Sequence, residues 1–440
     1  MTYIEFFLFF SQYLLRNVVI IGLVGIFIFL LQKPKTYSIF DPYFLYYCLP
    51  IVFSFSVILI LYIDSKKIQY IKLLFSNIIQ IVTIAFFIKK EKNRKQFVEN
   101  YSFFYLFFIL HTIIFLIAIF IQFKMFFETV FSNKLAMYTG HGVLVYLYLI
   151  LPTGEFILLM LKRYIYRKKK MTDYCLFFIL LFAAVIGGGK GSIVSFVANY
   201  FFIKYYFFKN FNLIGISEQR EYIQKQNNKN IIICILMIPM VLLLFKIVNK
   251  DSETPLFLQL LHRMVSYGDI YFLAYPTNVI EKMPKYSFIQ HYFISLVNPI
   301  RKLFPFYKEE PVLGFEIIKA VLKVKNPNTG PNSRFDVFLQ LSTPLFFNYL
   351  WCFILGCIYS FNRTRFFNDS KSFLGLYLKI ILLNAIGDLF TDYSFFASRI
   401  TGLLLIIPFL YFVSYMLYCA VGQQLKIKIH KVKTINKWEI

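Results

Sequence analysis

The stretch Tyr101–Phe123, YSFFYLFFILHTIIFLIAIFIQF, decides the class of this chain. It holds no Asp, Glu, Lys or Arg. As an α-helix it is long enough to cross the ~30 Å hydrocarbon core of a bilayer. Similar runs recur on both sides of it. Phe6 to Leu31 is one, interrupted by Gln12 and Arg16. Tyr43 to Ile63 is a second, and Leu73 to Ile88 a shorter third. Gly142 to Leu161, Cys175 to Ile186, Ile193 to Phe208 and Ile231 to Val248 follow. Pro344 to Phe361, Phe373 to Leu389 and Ile400 to Val421 close the series. With 59% hydrophobic and 16% charged residues, this repetition excludes a soluble domain. The expectation is an all-α polytopic membrane protein of about 10–12 transmembrane helices.

The formal net charge is +25. It lies mostly in short loops and the tail, as in Lys89–Lys95, Lys162–Lys170 and Lys426–Ile440. The positive-inside rule accounts for it, and it does not imply nucleic-acid binding. Counting back from a cytoplasmic tail puts Asn362–Arg365, Lys204–Lys229 and Arg163–Lys170 inside. The same count puts the polar segment 250–342 outside. If Leu73–Ile88 crosses, there are about eleven spans and the N-terminus is outside; if it is re-entrant, there are about ten and the N-terminus is inside. The six cysteines all fall in apolar runs, with no disulfide framework or metal-ligand spacing. The first residues lack a basic start and a small-residue cleavage site, so the first span is expected to be retained.

Three regions follow: a transmembrane bundle over 1–249, a large outer loop over 250–342, and transmembrane helices with a basic tail over 343–440. The loop is too long for a connector and carries the candidate chemistry. It contains Leu261-His262-Arg263-Met264-Val265-Ser266-Tyr267-Gly268-Asp269 and Thr329-Gly330-Pro331-Asn332-Ser333-Arg334-Phe335-Asp336. Leu256 to Leu273 reads as an amphipathic helix on the membrane surface. From there Arg263 reaches the headgroup zone, where a guanidinium grips phosphate oxygens in a bidentate way. An ordinary interfacial arginine explains the same residue. The Gly-Pro-Asn turn would hold Arg334 and Asp336 at the mouth of the bundle. Arg334 suits a phosphate, and Asp336 suits a hydroxyl proton or the positive end of a helix. His262 and Asp269 are further candidate bases. Lys190, in Gly187-Gly188-Gly189-Lys190-Gly191-Ser192, is either a phosphate contact or the snorkelling lysine of a hairpin turn.

Ionisable residues also fall within apolar runs: His111, Glu155, Lys246, Lys379, Asp388 and Arg399. Such residues are functional candidates by default. Glu155 is the deepest, placed to pair with a lysine or line a cavity. The sequence has no zinc-protease motif, phosphate-binding loop, dinucleotide fingerprint or nucleophile elbow, and no Asp-x-Asp pair. No metal or cofactor is expected.

Gly189-Lys190-Gly191-Ser192, Arg263 with Gly268-Asp269, and Gly330-Pro331-Asn332 with Arg334 lie in a chain of ten or more spans with a late outer loop. In these features the chain resembles the Wzy-type O-antigen polymerases, with Lys190 where that family often has arginine. The resemblance implies a GT-C-like, metal-independent glycosyltransferase of a bacterial inner membrane. Its substrate would be an oligosaccharide linked to undecaprenyl diphosphate, transferred onto another lipid-linked repeat unit. It also implies a flippase and a chain-length regulator as partners. Lys190, Arg263 and Arg334 would hold the leaving diphosphate, and Asp269, His262 or Asp336 would be the base. An O-antigen ligase, or a lipid-linked oligosaccharide flippase or other transporter, are the alternatives.

Overall fold

The computed structural model describes residues 3–32, 44–88, 101–128, 142–164, 166, 168, 170–186, 196, 199, 200, 203, 232, 261–262, 264–276, 278–283, 313–323, 331, 334–368, 372–391 and 393–422. The longer elements are α1 (Tyr3–Gln12), α2 (Leu14–Gln32), α3 (Leu49–Ser65), α4 (Ile68–Phe87), α5 (Tyr101–Glu128), α6 (Gly142–Tyr164) and α7 (Met171–Ile186). The loop region contributes α8 (Asp269–Ala274), α9 (Val279–Lys282), α10 (Leu313–Leu322) and α11 (Phe335–Ser342). The chain continues with α12 (Leu345–Asn368), α13 (Phe373–Thr391) and α14 (Tyr393–Gly422). No strand occurs among the described residues. Five helical stretches there are long and apolar enough to cross a membrane: Leu14–Gln32, Ile68–Phe87, Tyr101–Met125, Leu345–Thr364 and Phe396–Ala420. The runs Ile193–Phe208 and Ile231–Val248 lie almost wholly outside the described residues.

The first expected span is divided. The chain breaks at Tyr13, where Asn17 is buried and its Nδ2 donates to the Phe10 carbonyl at 2.9 Å. Only α2 is span-length. The preceding α1 instead packs Phe6 and Phe9 on Phe272, with ring centroids 5.2 and 5.4 Å apart. Next, α3 begins with Pro50 in its first turn, where the missing N–H costs nothing. It ends at Lys66 in the left-handed conformation, with its N–H bonded to the Tyr62 carbonyl at 2.7 Å. A two-residue turn there returns the chain as α4, so Leu73–Phe87 belongs to an unbroken twenty-residue helix, with Ile88 as its extended C-cap.

Side-chain contacts fix the directions. Arg16 at the start of α2 grips Asp64 at the end of α3 through two bonds of 2.7 and 2.8 Å, so α2 and α3 are antiparallel. Ser76 of α4 donates to Asn348 of α12 at 3.3 Å. Further along both helices, a Cβ on Gly356 would sit 2.9 Å from Thr83. Hence α4 and α12 run parallel and in close contact, as small residues at a helix interface permit. The other half of the bundle is α5, α6, α13 and α14, with α7 against it. Phe103 of α5 packs on Phe373, Tyr411 and Tyr418.

At one end of the bundle α1, the α3–α4 turn and the 261–283 segment meet. The Lys67 ammonium donates to the Pro276 carbonyl at 3.1 Å, and the Gln69 amide to Glu281 at 2.6 Å. This shared end matches the version of the topology in which Leu73–Ile88 crosses.

Two expectations are corrected here. The 256–273 stretch is not one surface helix. It is interrupted by a 3-10 turn at Ser266–Gly268, and residues 268–275 are buried. A Cβ on Gly268 would lie 2.5 Å from Val57, so the backbone is pressed into α3. Nor do Arg334 and Asp336 sit at the mouth. Gln340 in the last turn of α11 accepts from the Tyr275 hydroxyl at 2.6 Å, close to the α3–α4 turn. Asp336 in its first turn reaches Asn77, ten residues beyond Lys67 and so ~15 Å down α4. The helix therefore climbs out of the bundle, and α12 descends again after Thr343 and Pro344. All of Phe335 to Leu339 is buried. Five consecutive buried residues cover more than one full helical turn, so this part of α11 is surrounded on all sides.

Candidate functional site

Asp336 is the centre of the deepest polar cluster around α11. It is 7% exposed. The Tyr271 hydroxyl faces both of its oxygens, at 3.0 and 2.9 Å. Asn77 Nδ2 donates to Oδ2 at 2.9 Å, and the Val337 N–H to Oδ1 at 2.9 Å. Asp336 stands in the first turn of α11, where the positive end of the helix favours a negative charge. Two residues earlier, Arg334 is 3% exposed. Its Nη2 donates to the Pro50 carbonyl at 3.3 Å, and its guanidinium stands 5.5 Å from the Tyr267 ring centroid.

Asp336, Arg334, Tyr271, Asn77 and Pro50 line a recess with Tyr47, Ser54 and Gln80. Its volume is about 10 Å³, room for one water. The site is thus closed in this conformation. Burial pushes the Asp336 carboxyl above the ordinary range, although Arg334 and the bonds from Tyr271, Asn77 and Val337 pull it back in part. A carboxylate with raised proton affinity is a stronger base than one in water. Burial, followed by the Asp336 charge, raises the Tyr271 phenol well above its usual value, so it serves as a hydrogen-bond donor.

Of the six expected site residues, Arg334 and Asp336 come together. Asp269 is buried at the head of α8, two residues before Tyr271. His262 is elsewhere. It bonds Ser11 at 3.3 Å and stacks on Phe7 at 4.2 Å, and burial pushes its imidazole below the ordinary value. Lys190 and Arg263 lie outside the described residues. Tyr271, Tyr267 and Asn77 were not expected at a site. A signal for Asn77 was available: Ser76, Asn77, Gln80 and Thr83 place four polar residues close to one face of an apolar helix.

A second buried polar cluster lies in the other half-bundle. Glu155 pairs with His111 rather than a lysine. His111 Nδ1 is 2.7 Å from Glu155 Oε2, and Nε2 is 2.9 Å from the Tyr377 hydroxyl. Thr112 donates to Glu155 Oε1 at 2.7 Å. Among the described residues no group of three or more His, Cys, Asp or Glu is placed to hold a metal ion. No family model matches this chain, and no curated protein or solved structure is detectably similar to it.

Proposed function

We propose that the protein is an O-antigen polymerase. It is a GT-C-like glycosyltransferase with about 10–12 spans in a bacterial inner membrane. It joins oligosaccharide repeat units carried on undecaprenyl diphosphate at the outer face. The observation that carries this reading is the bond between Tyr271 and Asp336, which holds the second polar motif of the long loop against α8, the helix that starts at the end of the first.

In this reading Asp336 takes the proton of the acceptor sugar hydroxyl. The hydroxyl oxygen attacks the anomeric carbon of the donor glycan, and the bond to the lipid diphosphate breaks. Arg334 stabilises the negative charge that develops on the diphosphate, with Arg263 and Lys190 as further cations. Tyr271 and Asn77 hold the carboxylate in place. The recess must open before a sugar can enter. Such a chain works beside a flippase that supplies its substrate and a chain-length regulator. Transport of a lipid-linked glycan is the second reading, favoured by the buried Glu155–His111 pair.

A lipopolysaccharide gel of a deletion strain separates these readings. A polymerase predicts one repeat unit on the lipid core in the deletion and a full ladder on complementation. Loss of every repeat unit from the core would point to ligase or transport, and a persisting ladder would contradict all of them.

A further inference from the structure

A second cavity, of about 200 Å³, lies between the last turns of α2 and the start of α3. Its floor is Ile28, Gln32, Cys48 and Val52, all buried. Its rim is Gly25, Phe29, Phe44 and Leu49, each at least partly exposed. Phe29 and Phe44 meet edge to face there, with ring centroids 6.3 Å apart. The cavity therefore opens on the flank of α2 where Ile26 and Leu30 are also exposed. Because α2 is long and apolar enough to cross a membrane, that flank meets hydrocarbon in a bilayer.

The lining suits hydrocarbon as well. Gln32 carries its one amide, and Nε2 of that amide donates to the Ile81 carbonyl of α4 at 3.1 Å. Water needs polar partners, and an apolar cavity of ~150 Å³ stays dry and takes up benzene instead. Left empty, the lining would lack dispersion partners on one side. A helix of another chain is ~10–12 Å across with its side chains, too wide for this space. A single extended hydrocarbon chain fits, and phospholipid acyl chains surround the rim in a bilayer.

The wall of this cavity is also the wall of the Asp336 recess. Phe44, Cys48 and Val52 recur every fourth residue along the π-helical turn Phe44–Cys48 and α3, and they line the cavity. Tyr47, Ile51 and Ser54 leave the same stretch toward the recess. We propose that the cavity binds one acyl chain of a membrane phospholipid, which backs the wall of the recess without entering it. The site does not depend on the reaction proposed above.

Photo-crosslinking of the full chain tests this. The protein is reconstituted in phosphatidylethanolamine vesicles containing a small fraction of the same lipid with a diazirine within its acyl chain, and the labelled residues are mapped by mass spectrometry. The expected result is label on Cys48 and Val52 of the floor as well as on Ile26 and Leu30. A Cβ on Gly25 would lie 3.7 Å from Val52, an ordinary contact, so Gly25→Leu fills the cavity without a clash. That variant should lose the label on Cys48 and Val52 and keep it on Ile26 and Leu30. Should it fail to fold, Val52→Phe fills the space from the opposite wall and should lose the label on Cys48. A parent protein labelled on Ile26 and Leu30 but not on the floor would overturn the proposal, as would floor label that persists in the filled variants. Loss of the floor label on adding an equal amount of a polyprenyl phosphate would assign the cavity to a prenyl chain and overturn it too.

Discussion

The Tyr271 hydroxyl spans both oxygens of Asp336, at 3.0 and 2.9 Å, and ties α8 to α11 within the bundle. Tyr271→Phe keeps the ring and deletes that bond. A lost hydrogen bond to a charged group costs about 1.5–3 kcal/mol. In the proposed reaction the carboxylate also loses its fixed orientation. Glycan extension by purified Tyr271→Phe should fall at least tenfold, with a smaller fall in substrate affinity. Unchanged extension would remove Tyr271 from the site.

Asp336→Asn separates activity from stability. The Asp336 carboxyl has a raised proton affinity in the folded chain. The folded state therefore binds more protons than the unfolded state between the two pKa values. The stabilising contribution is present below the unfolded pKa and is lost as pH rises through the folded one. Asparagine does not ionise. Thermal unfolding in detergent should show the parent losing stability relative to Asp336→Asn as pH rises, while extension by the variant drops about 10²–10⁴-fold. Parallel stability curves would contradict the buried-carboxylate account.

Arg334 lowers the proton affinity of Asp336. Arg334→Gln removes that influence, so the carboxyl ionises at higher pH. The acid limb of the pH–activity profile should move to higher pH in this variant, and the maximal rate should fall. Arg334→Lys restores the charge but not the fork that reaches the Pro50 carbonyl. It should return the limb toward its original position with only part of the rate.

Gly314 tests the packing that seats this stretch. A Cβ there would lie 2.0 Å from the Pro331 carbonyl oxygen, a backbone atom. Gly314→Ala must displace α10 or the chain leading into Arg334. Reduced extension from a folded protein is expected, with faster labelling of a cysteine placed at Val337 by a small thiol reagent.

The membrane class and most helices were legible because a bilayer demands long apolar runs, and those are visible one residue at a time. Tyr13 was not visible as a break, because Gln12 and Arg16 resemble tolerated polar residues until Phe6 is seen against Phe272. Arg334 and Asp336 were legible as candidates through their motif. Their depth was not, since it depends on α11 running antiparallel to α12, which no local pattern records. Tyr271 and Asn77 come from segments 194 residues apart, and only the folded chain brings both to Asp336. Glu155 was legible as a deep carboxylate placed to pair with a lysine or line a cavity; its pairing with His111 is made by helix packing, which no local pattern records.

The measurement that tests the central claim most directly is extension by the purified parent and Asp336→Asn proteins in liposomes, with undecaprenyl-diphosphate-linked repeat units as the sole substrate. The account predicts longer lipid-linked glycans and released undecaprenyl diphosphate with the parent, and neither with the variant. Equal extension by both proteins would contradict the assignment of Asp336 as base, and no extension by the folded parent would contradict the polymerase itself.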